Sequence, residues 1–177
     1  MASELRVDKI IPTSGVPATG GGGIVQVVHG TKDGEVTITT TSFQDTGVTA
    51  TITPKFNTSK ILVIIDQPYH MSRSSSKCSG GFKVLRGSTE IATPNGTGAS
   101  GGTGPYACSY EGTGTSYFSI IDRWSFTILD EPASTSALVY KVQMACQTSN
   151  NSGRIRAQYN GTSGRQRGHI ALLEISA

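Results

Sequence analysis

The residues best suited to recognition chemistry lie near the end of the chain, where arginines surround a single tyrosine. A guanidinium presents paired N–H donors that match a carboxylate or phosphate, and a tyrosine ring offers a flat face to a sugar or a cation. The pattern predicts a surface that binds an anionic glycan, a lipopolysaccharide or the acidic patch of a partner. The alternative is a set of solvated arginines that keeps an edge strand from aggregating. The cluster comprises Arg154, Arg156, Tyr159, Arg165 and Arg167.

Paired carboxylates are a second candidate for chemistry, because glycoside hydrolysis needs two carboxyl groups facing each other across a cleft. Asp122 and Asp130 could supply them, although the Asp-Glu-Pro sequence at 130–132 is typical of a turn. Residues 98–102 match the G-x-S-x-G pattern of a nucleophilic serine, but that motif needs a strand before it and a helix after it. Both neighbours here are rich in glycine. We therefore predict no catalytic residue and no enzymatic activity.

The histidines and cysteines do not indicate a metal or cofactor site. The histidines are far apart in the sequence, and we expect them at the surface or at strand ends. The cysteines are odd in number and form no C-x-x-C pair, which argues against zinc. One of them falls in a predicted core strand, whereas the other two flank glycine-rich segments, where they could form a disulfide. These residues are His29, His70, His169, Cys146, Cys78 and Cys108.

Composition limits the remaining classes of function. Only 15% of the 177 residues are charged, and the formal net charge of +3 is too small to indicate nucleic-acid binding. The longest apolar run is the five residues 61–65, so we predict no membrane insertion. The chain contains 22 glycines and few helix-forming residues, which is typical of a β-protein with many turns.

The elements that position these residues are predicted to be strands. Apolar and polar residues alternate with period two at 35–39, 48–53, 124–129 and 138–146, so each segment has one buried face. The segment 60–65 is apolar on both faces and predicts a central strand covered by the core and by a second layer or a second subunit.

Nine or ten such strands follow at short spacing, with no convincing helix. We predict an all-β chain that forms an antiparallel β-sandwich, jelly-roll-like, over residues 24–177. Residues 154–159 form a polar strand in this prediction, at a sheet edge or a groove.

A glycine-rich stretch at 93–116 interrupts the strands. A loop of this length inside a compact domain is usually functional or disordered. Tyr106 and Tyr110 stand in it and could give rigid contact area to a ligand, since glycine lets the backbone approach a sugar closely.

Residues 1–23 are predicted to form an extended N-terminal arm and a glycine-rich hinge. Pro12 and Pro17 stop any helix, and four glycines precede the first strand. A short apolar arm can add a strand to the sheet edge of another protein, whereas the alternative is a disordered terminus. The anchoring residues of the arm would be Leu5, Val7, Ile10 and Ile11.

Several segments resemble one family of proteins. The opening SELRVDKIIP at 3–12 and IVQVV at 24–28 are similar to the start of small virion proteins of tailed phages, especially cyanophages and other marine phages. SFQDTGVTATITP at 42–54, SKILV at 59–63 and IALLEI at 170–175 resemble the strands of their fibre-type domains.

This resemblance implies a structural virion component, a tail fibre or receptor-binding protein, that forms a homotrimer. It implies an N-terminal segment that docks on other virion proteins and a body that contacts host surface polysaccharide. The chain lacks the coiled coil, collagen-like run or β-helical shaft of a long fibre. A capsid decoration or tail adaptor protein without a receptor role is therefore the alternative, and a cell-wall or polysaccharide hydrolase is a third hypothesis.

Overall fold

The computed structural model describes residues 23–73, 77–92, 108–111, 118–146, 153–161 and 164–176. None of these residues lies in a helix, so these ranges contain no helix that could cross a membrane. The strands, numbered in chain order, are β1 (Ile24–Lys32), β2 (Val36–Ile38), β3 (Gln44–Ile52), β4 (Lys60–Arg73), β5 (Lys77–Arg86), β6 (Thr89–Ala92), β7 (Cys108–Glu111), β8 (Phe118–Asp130), β9 (Leu138–Cys146), β10 (Arg154–Ala157), β11 (Asn160–Gly161), β12 (Gly164–Arg165) and β13 (Gly168–Ile175).

The strands form two antiparallel sheets that pack against each other. Sheet A is built on the long strand β4, which pairs with β8 along one side. On its other side β4 pairs first with β13 and then with β10, and β1 and β2 extend the sheet from these two strands. Sheet B has the order β3-β9-β5, and both β6 and β7 pair with β5. β11 and β12 form a separate small hairpin.

One core fills the space between the sheets. In β4, Ile61, Val63 and Ile65 are buried, and because strand side chains alternate, Leu62 and Ile64 lie on the outward face of sheet A. The first half of the core also contains Val48, Ile52, Val84, Tyr140, Val142, Ile170 and Leu172.

A row of aromatic rings joins this part of the core to a second part, which contains Phe82. The Phe82 ring stacks on Trp124 with the centroids 4.8 Å apart, and Trp124 stacks on Phe126 at 5.2 Å. Such pairs contribute about 0.5–1.5 kcal/mol beyond the area they bury. Since Trp124 lies in β8 and Phe82 in β5, the row also ties sheet A to sheet B.

A buried carboxylate fixes the loop after β3 against β13. One oxygen of Glu174 accepts hydrogen bonds from the backbone N–H groups of Lys55, at 2.6 Å, and Phe56, at 3.4 Å. The other oxygen accepts from the side-chain amide of Gln26 at 2.6 Å. The fully buried charge is thus matched by donors from two other segments of the chain.

The predicted β-sandwich is confirmed, and the jelly-roll connectivity stays a prediction. β1 begins at Ile24, the first residue of the predicted body, whereas residues 1–22 lie outside the described ranges. Residues 154–159 were expected to form a strand at a sheet edge or a groove; β10 ends at Ala157, and the edge position is wrong because β10 has a paired strand on each side.

Within the predicted glycine-rich loop at 93–116, the structure describes only 108–111, and these residues form β7. The backbone register places Cys78 opposite Tyr110 and Cys108 opposite Gly80. The two cysteines are therefore not directly opposed, and a disulfide between them stays a prediction. Cys146 is buried, as predicted.

Candidate functional site

The candidate site lies where sheet A divides. The strand beside β4 changes from β13 to β10 because the chain leaves the sheet at Gln158 and returns at Gly168. Gln158 has a φ of 48°, which is uncommon for a residue other than glycine and turns the chain out of the sheet. The turn between β1 and β2, where Gly34 has a φ of 87°, lies beside this excursion.

A stack of an arginine, a tyrosine and a histidine covers the outward face of sheet A here. The Tyr159 ring lies on His70 with the centroids 4.1 Å apart and the planes 18° apart. The Arg156 guanidinium lies 5.3 Å from the Tyr159 ring centroid, within cation–π distance. A Cβ atom at Gly161 would lie 2.5 Å from the Tyr159 ring, so glycine is needed for the hairpin backbone to pass this close. We call Arg156, Tyr159 and His70 the aromatic–arginine stack.

Polar contacts hold the stack in place. Arg156 Nε lies 3.4 Å from a carboxylate oxygen of Glu35, and the backbone N–H of Asn160 donates to the other oxygen at 3.2 Å. His70 Nε2 lies 2.6 Å from the Ser119 hydroxyl. Burial and then the charge of Arg156 lower the pKa of His70, so the ring is neutral at pH 7.

A polar cavity of about 340 Å³ adjoins the stack. On one wall Arg167 and Asp33 form a two-point ion pair, with N···O distances of 2.7 and 2.8 Å. The Gln158 side chain is 0% exposed, and its Oε1 has no hydrogen-bond partner among the described residues. Gln166 Oε1 is also buried without a partner there. The arginine cavity, as we call it, is lined by Asp33, Gly34, Gln158, Asn160, Arg165, Gln166 and Arg167.

The charges of this region leave a cationic surface. Four arginines face two carboxylates, those of Asp33 and Glu35, so the balance is two positive charges. Within the described ranges neither Arg154 nor Arg165 has an ion-pair partner; Arg154 donates to the Ser72 hydroxyl at 3.2 Å, and Arg165 is exposed. These two guanidinium groups are therefore the ones available to an anion.

The structure divides the predicted arginine cluster into two neighbouring parts. Arg154, Arg156 and Tyr159 lie on or above the outward face of sheet A, whereas Arg165 and Arg167 line the arginine cavity. Asn160, between the two parts, lines the cavity and bonds Glu35.

The other predicted contact residues are not brought to this site by the described structure. The backbone of Tyr110 lies in β7 of sheet B, and its side chain is outside the described part, as is the whole of Tyr106. The anchoring residues Leu5, Val7, Ile10 and Ile11 also lie outside it.

Sequence reasoning missed His70, Glu35 and the two glutamines. His70 is buried in the middle of a long strand, so its predicted position at the surface or a strand end is wrong. The preceding apolar run ends at Ile65, and no local signal marks His70 as the partner of a tyrosine 89 positions later. The -Asp-Gly-Glu- turn at 33–35 is a visible turn signal, but its closeness to the arginines is tertiary information.

The carboxylates considered for hydrolysis do not form a catalytic pair. Asp122 and Asp130 are eight residues apart on the same strand, which places them roughly 26 Å apart, well beyond the roughly 5–10 Å between glycosidase carboxyl groups. Both oxygens of Asp130 bind the Arg86 guanidinium, at 2.7 and 2.6 Å, and one of them also accepts from the Tyr140 hydroxyl at 2.6 Å. Asp130 therefore joins sheet A to sheet B.

Metal ligation gains no support from the described ranges, in which no group of three or more His, Cys, Asp or Glu residues is placed to hold an ion. His29 and His169 do lie together on β1 and β13, with their rings stacked 5.4 Å apart. These two histidines are far apart in the sequence but neighbours in space, because the first and last strands of the body pair in sheet A.

No family model matches the chain, and a search of curated proteins finds no match. The geometry of the described residues therefore carries the functional inference. It combines guanidinium groups, side-chain amides and a carboxylate around a cavity, with the Tyr159 ring beside it, which is a set suited to binding a polar ligand.

Proposed function

We propose that this chain is a structural component of a phage virion, a tail fibre or receptor-binding protein, that contacts host surface polysaccharide through the aromatic–arginine stack and the arginine cavity. In this proposal the segment with Leu5, Val7, Ile10 and Ile11 docks the protein on other virion proteins. The sequence resemblance supports the virion role, and the single observation that supports ligand binding is the arginine cavity beside Tyr159.

The lining of the cavity matches the chemistry of a sugar. Vicinal hydroxyl groups bond to flat polar side chains, and the exposed side-chain amide of Asn160 in the lining can both donate to and accept from such groups. The exposed Arg165 guanidinium can bind the carboxylate of an acidic sugar through two hydrogen bonds. A volume of about 340 Å³ is at the small end of ligand pockets, which suits one or two sugar units.

The test is binding of the purified protein to a panel of acidic and neutral bacterial polysaccharides. Tyr159→Ala and Arg165→Gln should each weaken binding to an acidic polysaccharide about tenfold, since each removes a contact of about 1–2 kcal/mol. Lys55→Gln is the matched control for Arg165→Gln, because it removes one exposed positive charge near the opposite end of β13.

Two results would count against the proposal. Equal binding by the wild type and both site variants would contradict the assignment of Tyr159 and Arg165 to the polysaccharide-binding site. Failure of the wild type to bind any polysaccharide would remove the receptor role and favour the decoration or adaptor function.

A further inference from the structure

A serine and a histidine meet on the outward face of sheet A, beside the aromatic–arginine stack. The strand register pairs Ser119 of β8 with Ser72 of β4, and His70 lies two residues from Ser72 on the same face. The Ser119 hydroxyl lies 2.6 Å from His70 Nε2, a distance at which an imidazole can take the proton of a hydroxyl nucleophile. The prediction of no catalytic residue rested on local motifs and carboxylate pairs, whereas these two residues are 49 positions apart in the chain.

The two side chains have the exposures that a nucleophile and its base need. Ser119 is exposed, and within the described ranges no strand pairs with the other edge of β8, so a substrate can approach the hydroxyl from solvent. His70 is only 1% exposed and lies beneath the Tyr159 ring. Burial and then the charge of Arg156 lower the pKa of His70, against a smaller opposing effect of Glu35, so at pH 7 the ring can accept a proton.

Packing, and not a carboxylate, orients this histidine. His70 Nδ1 is buried, and no described residue forms a hydrogen bond with it. The stacked Tyr159 ring, 4.1 Å away and 18° from parallel, fixes the plane of the imidazole instead. The negative charge of Glu35 favours the imidazolium that forms when the proton is transferred. The arrangement is therefore a serine–histidine dyad in which Tyr159 is the positioning residue.

Groups suited to an ester flank Ser119. Arg154 Nε donates to the Ser72 hydroxyl at 3.2 Å, which holds this guanidinium over β4, one strand away from Ser119. A positive charge there stabilises the oxyanion that forms when a carbonyl is attacked. Ile121 lies two residues along β8 on the same face and is 53% exposed, so it offers an apolar contact to a short acyl group.

We infer that Ser119 and His70 form an acyl-transfer site that hydrolyses carboxylic esters with a short acyl group. Ser119 Oγ attacks the carbonyl carbon, and its proton passes to His70 Nε2. The bond between the carbonyl carbon and the alcohol oxygen then breaks, and the leaving alcohol takes that proton. Water hydrolyses the acyl–serine with His70 as the base, which releases the acid and restores the serine. That the alcohol is a sugar hydroxyl rests on the proposed function, whereas the reaction at Ser119 does not.

The test is labelling of the full chain with a fluorophosphonate, which forms a covalent bond with an activated serine and releases fluoride. Mass spectrometry of the digested protein should place the label on Ser119, and Ser119→Ala should abolish it. His70→Gln keeps a polar side chain that cannot take up the proton, so it should slow labelling at least about a hundredfold. Ser125→Ala is the matched control, because Ser125 is exposed on the same face of β8 and lies opposite Asp66, and this variant should label like the wild type.

A second measurement is the hydrolysis of p-nitrophenyl acetate, which should rank the variants in the same order, while circular dichroism and unfolding temperature establish that each is folded. Wild type without label on Ser119, or a folded His70→Gln variant that labels at the wild-type rate, would overturn the inference. Loss of the label in Ser119→Ala with polysaccharide binding intact would support the ester site and leave the proposed function standing. A labelled wild type that binds no polysaccharide would support the ester site and contradict the proposed function.

Discussion

Replacing Asp130 by Asn tests whether this carboxylate holds the two sheets together. Asp130 ends β8, and its side chain is only 10% exposed. It accepts two hydrogen bonds from Arg86 of β5 and one from Tyr140 of β9, so one charge in sheet A satisfies two donors in sheet B. Asn keeps the shape but removes the negative charge, and it turns an NH₂ group toward one of these donors.

The expected loss of stability follows from those contacts. A hydrogen bond to a charged group contributes about 1.5–3 kcal/mol, and breaking a buried ion pair costs about 3–5 kcal/mol. Because Arg86 keeps some exposure and the Asn oxygen can still accept one hydrogen bond, we expect Asp130→Asn to lower the free energy of unfolding by about 2–3 kcal/mol. For a chain of this size that corresponds to a melting temperature lower by roughly 4–12 °C.

The assay is urea and thermal unfolding of both the variant and its control, Asp122→Asn. Asp122 lies on the same strand, and its contacts are the adjacent Arg123 N–H at 2.8 Å and the Tyr69 hydroxyl at a long 3.4 Å. We expect the control to lose less than about 1 kcal/mol. A loss for Asp130→Asn no greater than the loss for Asp122→Asn would refute the reasoning that Asp130 holds the two sheets together.

Three further predictions concern packing and pH. Gly30→Ala should lower the free energy of unfolding by about 1–3 kcal/mol, because the added Cβ would clash with the backbone oxygen of Thr49. A variant as stable as the wild type in urea unfolding would contradict this packing. Burial opposes the charge of Glu174, but hydrogen bonds from Gln26, Lys55 and other donors outweigh it and lower the pKa, so the stabilisation should be lost as the pH falls below 4.5. The same acid titration of Glu174→Gln should lack that part of the loss. Burial lowers the pKa of His70, so below pH 6.5 the unfolded chain binds more protons than the folded chain and the free energy of unfolding should fall. A urea midpoint that is the same above and below pH 6.5, or an equal fall in the His70→Asn variant, would contradict this prediction.

The positions of the main strands and their assembly into a β-sandwich were predictable because they depend on the local pattern of apolar and polar residues. Alternation at 48–53 and 138–146 is a period-two signal, and the structure buries the alternate residues in β3 and β9. The Gly87-Ser88 turn is local in the same way, and Gly87 has the positive φ, 60°, that a tight hairpin turn requires. The two-sided apolar segment at 60–65 correctly marked the central strand of sheet A.

The sequence by itself therefore determined an all-β sandwich and pointed to a cationic, aromatic surface near the C-terminal end. Only the tertiary structure decided which arginines pair with a carboxylate of this chain and which are available to a ligand. The contacts Arg167–Asp33 and Arg156–Glu35 join residues more than a hundred positions apart, and no periodicity reports such pairs. These contacts form because the chain leaves sheet A between β10 and β13, which brings the turn at 33–35 beside the β11–β12 hairpin. The same excursion leaves Arg165 exposed at the cavity.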